Sequence, residues 1–308
     1  MGCNFPRPVW KRADERAPDK RFASGFRVEP KRGFTFRLSE GYREPHAAVP
    51  CGQCLGCRLD WAADWALRCE KEAKLWPYNS FVTLTYNDDE LPIGASTRST
   101  VSKREFQLFM KRLRFELGDG IRFFASGEYG DTNDRAHYHA LLFNCRFPDQ
   151  QLWRNTRGHP LYRSAILEKL WPYGFSTIGA VNYQTSNYVA RYVVKKLRGS
   201  LAMQQYADRE PPFVLMSRNP GIGAHWLAKH SADVYPSGSI VYGEGKQRRA
   251  PRYFDKLHSR EKPVEVAEAK GKRKIQAAVA RSKNNTSRIL EARETNIKAR
   301  LNLSGRPL

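Results

Sequence analysis

Two β-patterned segments in the middle of the chain constrain its fold more than any other feature. Residues 121–125 and 136–143 are rich in aromatic and aliphatic side chains, and a polar loop that contains Gly127, Gly130 and Asp131 lies between them. Loops of this composition join neighbouring strands, so we expect the two segments to pair antiparallel in one sheet.

Further patterns place helices and strands around this pair. Helical spacing occurs at 58–76, from Ser102 onwards with Glu105 in a capping box, at 161–170 and at 186–197, and strand patterns occur at 81–86 and 175–178. The resulting order, α-β-α-β-β-α-β-α, predicts an α+β fold in which helices flank an antiparallel sheet.

The two ends of the chain differ from this middle. Residues 1–50 are rich in Pro, Gly, Arg and Lys, with one candidate strand at 34–38, and we interpret them as an irregular basic N-terminal extension. A folded domain is expected at 51–200, an irregular flanking segment at 201–255 and a basic C-terminal tail at 256–308. From residue 246 to the end, 18 Lys and Arg stand against 6 Asp and Glu. This excess predicts a mobile tail that has either no specific role or a nonspecific hold on DNA.

The charge of the whole chain indicates a polyanionic partner. The sequence has 53 Lys and Arg against 31 Asp and Glu, a formal net charge of +22. Such a field favours nucleic acid first and an acidic membrane surface second. The membrane reading is the weaker one, because no apolar run is long enough to span a bilayer and the N-terminus lacks the apolar core of a signal peptide. We therefore expect a cytoplasmic protein without membrane contact.

A pair of histidines lies inside the second predicted strand. Side chains two residues apart on a strand share a face, so His137 and His139 project together. Antiparallel pairing brings Glu128 beside them as a third ligand. Two imidazoles and a carboxylate leave positions open for water and a phosphate oxygen, which is typical of a catalytic Mg²⁺ or Mn²⁺ site. A His-x-His pair alone is more often a pair of half-exposed strand residues that bind no metal.

A tyrosine pair follows on the last predicted helix. At about 100° per residue, Tyr188, Tyr192 and Lys195 fall within roughly 60° of one another, and Lys196 follows. A tyrosine hydroxyl has a pKa near 10 and needs a neighbouring cation or base to act as a nucleophile. Lys195 or the metal supplies that charge. The same spacing is also common in helices that only pack a core.

The cysteines form a second candidate metal group. Cys51, Cys54 and Cys57 are spaced as two overlapping C-x-x-C units, and Cys69 on the following helix is the candidate fourth ligand of a structural Zn²⁺. Reduced cysteines without metal are the equal alternative.

Together, the His-Tyr-His strand and the Tyr-x-x-x-Tyr-x-x-Lys-Lys helix about fifty positions later resemble the two-tyrosine branch of the HUH (His-hydrophobic-His) endonucleases. More narrowly, the chain is similar to the replication initiators of small single-stranded DNA bacteriophages of the Microviridae, especially the gokushovirus type. The similar segments are 51–58, 81–86, 127–130, 170–174 and 217–223. The similarity covers about residues 50 to 236.

The resemblance implies an HUH-type fold and a rolling-circle replication initiator. Such an enzyme nicks one strand of the replicative-form DNA at the origin, leaves a 5′-phosphotyrosine and a free 3′-OH, and then rejoins the displaced strand. It implies that Tyr188 and Tyr192 alternate as nucleophiles and that 81–86 is a strand near the metal. The implied partners are single-stranded and supercoiled double-stranded phage DNA, with a host helicase and polymerase, in the bacterial cytoplasm. No organic cofactor is expected.

Two other functions remain open at this point. A basic nucleic-acid-binding protein whose cysteines hold zinc, without catalysis, explains the charge but not the histidine and tyrosine pairs. A relaxase for plasmid mobilisation shares the chemistry and acts at a transfer origin.

Overall fold

The computed structural model describes residues 3–11, 34–35, 47–52, 54–94, 98–130, 133–156, 158–195, 206, 209–243, 245–282 and 287–303. At several of these positions, including 192–195, only the backbone is described. The chain divides into a small unit, residues 1–60 with 284–308, and a large unit, residues 61–283. These units do not follow the boundaries expected from the sequence.

The elements of the described residues are numbered in chain order. The strands are β1 (Arg7–Lys11), β2 (Phe34–Thr35), β3 (Ala47–Val49), β4 (Asn79–Thr85), β5 (Arg122–Tyr129), β6 (Ala136–Phe143), β7 (Gln151–Thr156), β8 (His159–Arg163), β9 (Ser176–Gly179), β10 (Phe213–Met216), β11 (Ser239–Tyr242) and β12 (Lys246–Arg249). The helices are α1 (Leu55–Ala73), α2 (Lys103–Leu117), α3 (Ala165–Leu170), α4 (Tyr183–Lys195), α5 (Ala224–Val234), α6 (Arg252–His258), α7 (Pro263–Ser282) and α8 (Ser287–Leu303). Within the described part of the chain, none of these helices is long and apolar enough to cross a membrane.

An antiparallel sheet forms the centre of the large unit. Among the described residues its strand order is β10-β5-β6-β4-β9-β8-β7. β5 and β6 pair from Arg122 opposite Phe143 to Tyr129 opposite Ala136, which confirms the predicted antiparallel pair. The α+β fold with helices against an antiparallel sheet is likewise confirmed. β6 is an inner strand, hydrogen-bonded to β5 on one edge and to β4 on the other.

Strand alternation gives the sheet two buried faces. The face that carries Val82 and Tyr138 packs against α2 and α3, through side chains that include Phe106, Phe109 and Leu167. The opposite face packs against α1 and α4. The buried residues of this layer, which come from the sheet, from the two helices and from one loop, are Ala62, Cys69, Phe124, Leu141, Phe143, Val189, Ala190 and Ile222. The sheet is therefore covered by helices on both sides.

The prediction of one helix at 161–170 is wrong in its first half. Residues 159–163 form β8, which pairs with β7, a strand that was not predicted. The helix α3 begins only after Ser164, whose side-chain oxygen accepts a hydrogen bond from the backbone N–H of Leu167. The apolar spacing runs on across this N-cap, so the pattern hides the boundary. By contrast, Ser102 caps α2 as predicted, accepting from the N–H of Glu105.

The expectation of an irregular segment at 201–255 is wrong for most of its described residues, and described parts of the expected basic tail form helices. β10 pairs with β5 at the edge of the sheet, and α5, α6 and α7 pack with the β11–β12 hairpin on the outer side of α1. The core of this layer includes Leu67 of α1, Trp226 and Phe254. On α7, Val266 and Ala269 are buried in the same layer. A net charge carries no information on helix propensity, and the Ala, Glu, Lys and Gln residues of this region are good helix formers.

A buried charge network fixes the part of α1 that belongs to the large unit. Glu72 is fully buried and accepts a hydrogen bond of 2.6 Å from Arg122 of β5 and one of 2.6 Å from the backbone N–H of Gly223. Arg68 donates to the carbonyl oxygen of Ile222 at 3.0 Å. These two buried charges of α1 therefore have partners in the sheet and in the loop before α5.

The small unit contains a three-stranded sheet of order β2-β1-β3 among its described residues. β1 and β3 were not predicted, and only Phe34–Thr35 of the candidate strand at 34–38 is a described strand. Leu55 and Leu59, at the start of α1, pack against Ile297 of α8. The N-terminal extension and the C-terminal tail thus contribute regular structure to the same unit.

Candidate metal and tyrosine site

Three side chains of β5 and β6 converge on the sheet face that α4 covers. His137 and His139 share this face because one residue separates them on β6. Glu128 of β5 lies directly opposite His137 in the antiparallel register. Its Oε1 atom is 3.3 Å from Nε2 of His137 and 3.3 Å from Nε2 of His139. The three ligand atoms lie within 4.8 Å of one another, as in a group that could hold one metal ion.

Hydrogen bonds orient both imidazole rings toward Glu128. Nδ1 of His137 lies 3.0 Å from the carbonyl oxygen of Arg135, which only accepts, so Nδ1 carries a proton, and in the neutral ring Nε2 presents a lone pair. Nδ1 of His139 lies 3.0 Å from Oγ1 of Thr83. Burial, and then the neighbouring His137, hold the pKa of His139 well below its usual value, so this ring is neutral at pH 7.

This donor set fits a divalent cation. When both imidazoles are neutral with the proton on Nδ1, two lone-pair nitrogens and a carboxylate oxygen face one another, and a cation between them removes their repulsion. Two donors bound to one metal at about 2.1 Å lie about 3.0–3.4 Å apart, and both nitrogen–oxygen distances to Glu128 are 3.3 Å. The hydrogen bonds from the outer ring nitrogens are those that usually orient metal-binding histidines.

Tyr188 of α4 reaches this group with its hydroxyl. The hydroxyl oxygen lies 3.3 Å from Nε2 of His139, and the two ring centroids are 5.0 Å apart at an angle of 78°. Phe81 of β4 stacks on His139 at 5.7 Å and meets the ring of Tyr188 edge-on at 6.3 Å. Val189 and Ala190 are fully buried against the sheet and hold α4 in place. The phenol is therefore adjacent to the candidate metal ligands.

The other residues predicted on this helix are only partly described. α4 continues to Lys195, and Tyr192 follows Tyr188 by one turn, about 6 Å along the helix axis. The side chains of Tyr192 and Lys195 lie outside the described residues, as does Lys196 as a whole. Their roles stay predictions.

Tyr138, between the two histidines, faces the other way. It is fully buried in the core under α2, and its hydroxyl accepts a hydrogen bond of 2.8 Å from the backbone N–H of Ser102. Burial raises the pKa of Tyr138 to about 12. Tyr138 therefore lies on the other side of the sheet from the histidines, is closed to solvent, and is harder to deprotonate than a free tyrosine.

Two residues of β4 belong to the site and were not singled out from the sequence. Thr83 lies opposite His139 in the β4–β6 register, and Phe81 follows two residues away on the same face. The signal was present in the alternation of Phe81, Thr83 and Thr85, because this strand was predicted and its alternate residues share one face.

The cysteine group differs from the predicted one. Cys51, Cys54 and Cys57 do lie together, but the fourth sulfur is that of Cys3. The prediction of Cys69 is wrong, because it lies twelve residues after Cys57 on α1, about 18 Å along the helix, and is fully buried against the sheet. No local pattern connects Cys3 to the group, since 48 residues separate it from Cys51.

Comparison with known proteins gives a consistent set of relatives. A family model described as "Replication-associated protein ORF2/G2P" matches residues 79–197. The chain is 35% identical to the "Replication-associated protein ORF2" of Spiroplasma virus 4 over 225 residues, 70% of this chain and 68% of the relative. It is 32% identical to the "Replication-associated protein VP4" of Bdellovibrio phage phiMH2K over 240 residues, 75% of this chain and 73% of the relative. The "Replication-associated protein ORF4" of Chlamydia phage 1 is 31% identical over 48% of this chain and 38% of its own length. No solved structure matches significantly.

Proposed function

Because this chain belongs to the ORF2/G2P family of replication-associated proteins of Microviridae phages, we propose that it initiates rolling-circle replication by nicking one DNA strand at the phage origin. The observation that carries the proposal is the 3.3 Å contact between the Tyr188 hydroxyl and Nε2 of His139. It sets a potential nucleophile beside a group of three candidate ligands for one metal ion.

The metal-binding role is assigned to Glu128, His137 and His139. Mg²⁺ or Mn²⁺ is the proposed ion; the oxygen preference of Mg²⁺ favours Mn²⁺, whereas cellular abundance favours Mg²⁺. An ion bound there supplies Lewis-acid withdrawal of charge from a phosphate oxygen. Thr83 and the Arg135 carbonyl hold the two rings in the orientation that this role requires.

The nucleophile is assigned to Tyr188. Its phenolic oxygen attacks the phosphorus and loses its proton to solvent, the bond from phosphorus to O3′ breaks, and the departing oxygen takes up a proton to become a 3′-OH. One phosphodiester is exchanged for a tyrosine phosphodiester with no net hydrolysis. The reverse attack by a 3′-OH therefore rejoins DNA without an external energy source.

Tyr192 is assigned to the second cleavage, which releases the completed strand after one round of replication. A nucleophile that already carries the 5′ end cannot accept a second one, so cutting the completed strand needs another tyrosine within reach. Tyr192 lies one turn further along α4. Lys195 and Lys196 are proposed to stabilise phenolate or phosphate charge near that end of the helix.

An exposed aromatic and basic cluster supports single-stranded DNA as the substrate. The rings of Trp153 and Phe175 lie 5.1 Å apart and are 44% and 37% exposed. The guanidinium of Arg154 lies 4.6 Å from the Trp153 ring, and that of Arg163 lies 4.8 Å from the Phe175 ring. Exposed aromatic rings flanked by arginine are the side chains on which unpaired bases stack.

This cluster lies close to the histidine face. The carbonyl oxygen of Phe175 accepts a 2.8 Å hydrogen bond from the Thr85 hydroxyl, and Thr85 is paired with His137 across β4 and β6. A single DNA strand whose bases stack on this cluster therefore passes close to the candidate metal ligands. The net charge of +22 adds an attraction for DNA that does not depend on sequence.

The test is a covalent adduct assay on DNA of the chain's own replicon. With Mn²⁺ or Mg²⁺, the wild-type protein should convert supercoiled DNA to relaxed circles that carry protein resistant to SDS, and a chelator should prevent this. Peptide mapping should find the nucleotide on Tyr188. Tyr188→Phe should lose the adduct formed in the first nick, whereas Tyr192→Phe should keep the first nick and lose strand rejoining.

Tyr183→Phe is the matched control, because Tyr183 lies on the same helix and packs against Tyr242 instead of the histidines. It should retain full activity. A wild-type protein that binds DNA in a salt-sensitive way and forms no adduct is a binding protein, and the proposal is then wrong. Adduct mapped to another residue rejects the nucleophile, and nicking at a plasmid transfer origin instead of a phage origin identifies a relaxase.

A further inference from the structure

Four cysteines of the small unit bring their sulfur atoms together at the start of α1. The Sγ atoms of Cys3, Cys51, Cys54 and Cys57 all lie within 4.8 Å of one another, and those of Cys3 and Cys54 are 3.8 Å apart. All four are free thiols. A tetrahedron with metal–sulfur bonds of about 2.3 Å has sulfur–sulfur edges of about 3.8 Å, whereas a disulfide needs about 2.05 Å. The spacing thus matches a shared metal ion.

Backbone N–H groups point at these sulfur atoms. The N–H of Cys51 donates to the sulfur of Cys3 at 3.2 Å, that of Asn4 donates to the sulfur of Cys54 at 3.3 Å, and that of Cys54 donates to the sulfur of Cys51 at 3.2 Å. Donors of this kind stabilise the thiolate, which is the form that binds metal. The turn between Cys51 and Cys54 contains Gly52 at φ +76°, a conformation that glycine adopts without strain.

We propose that Cys3, Cys51, Cys54 and Cys57 bind one structural Zn²⁺. Four sulfur ligands complete a tetrahedral shell and leave no open position for substrate, which is typical of structural zinc and unlike the histidine group. Zinc also matches the soft thiolate ligands better than Mg²⁺ or Mn²⁺ does, so the two metal sites of this chain select different ions.

The small unit has little else to hold it together. Among its described residues the buried hydrophobic side chains are Val9, Leu55 and Leu59. Units with so small a core usually depend on a metal or a disulfide. β1 begins four residues after Cys3 and β3 ends two residues before Cys51, so the ion joins the ends of the paired strands to the start of α1.

The experiment measures metal content and cobalt spectra of the full-length protein. To remove binding at the histidine group, all proteins carry His137→Ala and His139→Ala. This parent should purify with one zinc per chain. Replacement of zinc by Co²⁺ should give the intense thiolate-to-cobalt charge-transfer band and the visible bands of a tetrahedral four-sulfur site. Zinc removal by a strong chelator should lower the melting temperature, and added Zn²⁺ should restore it.

Cys3→Ala tests the ligand that the sequence pattern missed, and Cys69→Ala is the matched control. Cys3→Ala should lose the zinc and the cobalt band, and Cys69→Ala should keep both. Circular dichroism of each variant reports whether the large unit remains folded. The inference is wrong if the parent contains no zinc and gives no thiolate–cobalt band, or if Cys69→Ala loses zinc while Cys3→Ala keeps it. An iron spectrum in place of zinc rejects the metal assigned here.

Discussion

The most informative single substitution at the histidine group is Thr83→Val. The Thr83 hydroxyl lies 3.0 Å from Nδ1 of His139. When Nε2 of His139 binds a metal beside Glu128, the proton of the neutral ring is on Nδ1, which then donates to Thr83. Valine keeps the shape of threonine but cannot accept this hydrogen bond. His139 is only 6% exposed, so water cannot easily replace the lost acceptor.

Two independent estimates give the expected loss of metal affinity in Thr83→Val. Leaving a buried donor unsatisfied costs about 1–3 kcal/mol. Loss of a hydrogen bond that orients a metal-binding histidine lowers metal affinity about 10- to 100-fold, which corresponds to about 1.4–2.7 kcal/mol. We therefore expect the Kd of the Thr83→Val protein for Mn²⁺ to rise about 10- to 100-fold, and the fold of the protein to remain intact.

The assay is Mn²⁺ titration of the free protein by calorimetry, followed by nicking rates across Mn²⁺ concentrations. Half-saturation of nicking should shift with the Kd, and the rate at saturating Mn²⁺ should stay within a few-fold of wild type. Thr83→Ser, which keeps the acceptor, should restore binding. Thr85→Val is the control on the same strand, because its hydroxyl donates to the Phe175 carbonyl instead of a histidine. Equal Mn²⁺ affinity in Thr83→Val and wild type, or equal losses in both valine variants, would refute the reasoning.

Two further substitutions probe the loop and the hairpin beside the site. Gly174→Ala should destabilise the large unit by about 1–3 kcal/mol in a urea melt, because its Cβ would lie 2.6 Å from the Thr85 carbonyl oxygen and collide with the backbone of Asn87; an unchanged midpoint would contradict this packing. Trp153→Ala should weaken binding to a single-stranded oligonucleotide roughly 5- to 150-fold at constant salt, and Trp153→Phe should retain most of the affinity. Equal affinities of the alanine and wild-type proteins would remove the cluster of Trp153 and Phe175 from the DNA path.

The parts of the site that the sequence predicted are those set by local geometry. The bounds of β6, Ala136–Phe143, agree with the prediction, since an apolar run between turn residues defines a strand on its own. Once β5 and β6 pair across a short loop, the position of Glu128 opposite His137 follows from the register. The placement of α4 on the histidine face could not be derived in this way, because it depends on packing with α1 and the sheet.

The parts that the sequence did not predict depend on contacts between distant residues. Cys3 joins a group 48 residues away, and β10 becomes a strand by pairing with β5, almost ninety residues earlier. The helices α7 and α8 contain good helix formers, but their many charges suggested a solvated tail. Local composition cannot reveal that Val266 and Ala269 find a buried layer on α1 and α6. Tertiary contacts decide all of these cases.

The tyrosine between the two histidines explains how the site keeps its register. Tyr138 is fully buried, and its hydroxyl both accepts from the backbone N–H of Ser102 at 2.8 Å and donates to the carbonyl oxygen of the same residue at 3.0 Å. A slip of one residue on β6 would turn Tyr138 to the α4 side and bury both imidazoles under α2. It would break the two hydrogen bonds at the start of α2 and place polar rings among Phe106 and its apolar neighbours. The middle residue of the His-Tyr-His segment thus holds the strand in the one register that presents His137 and His139 to Tyr188.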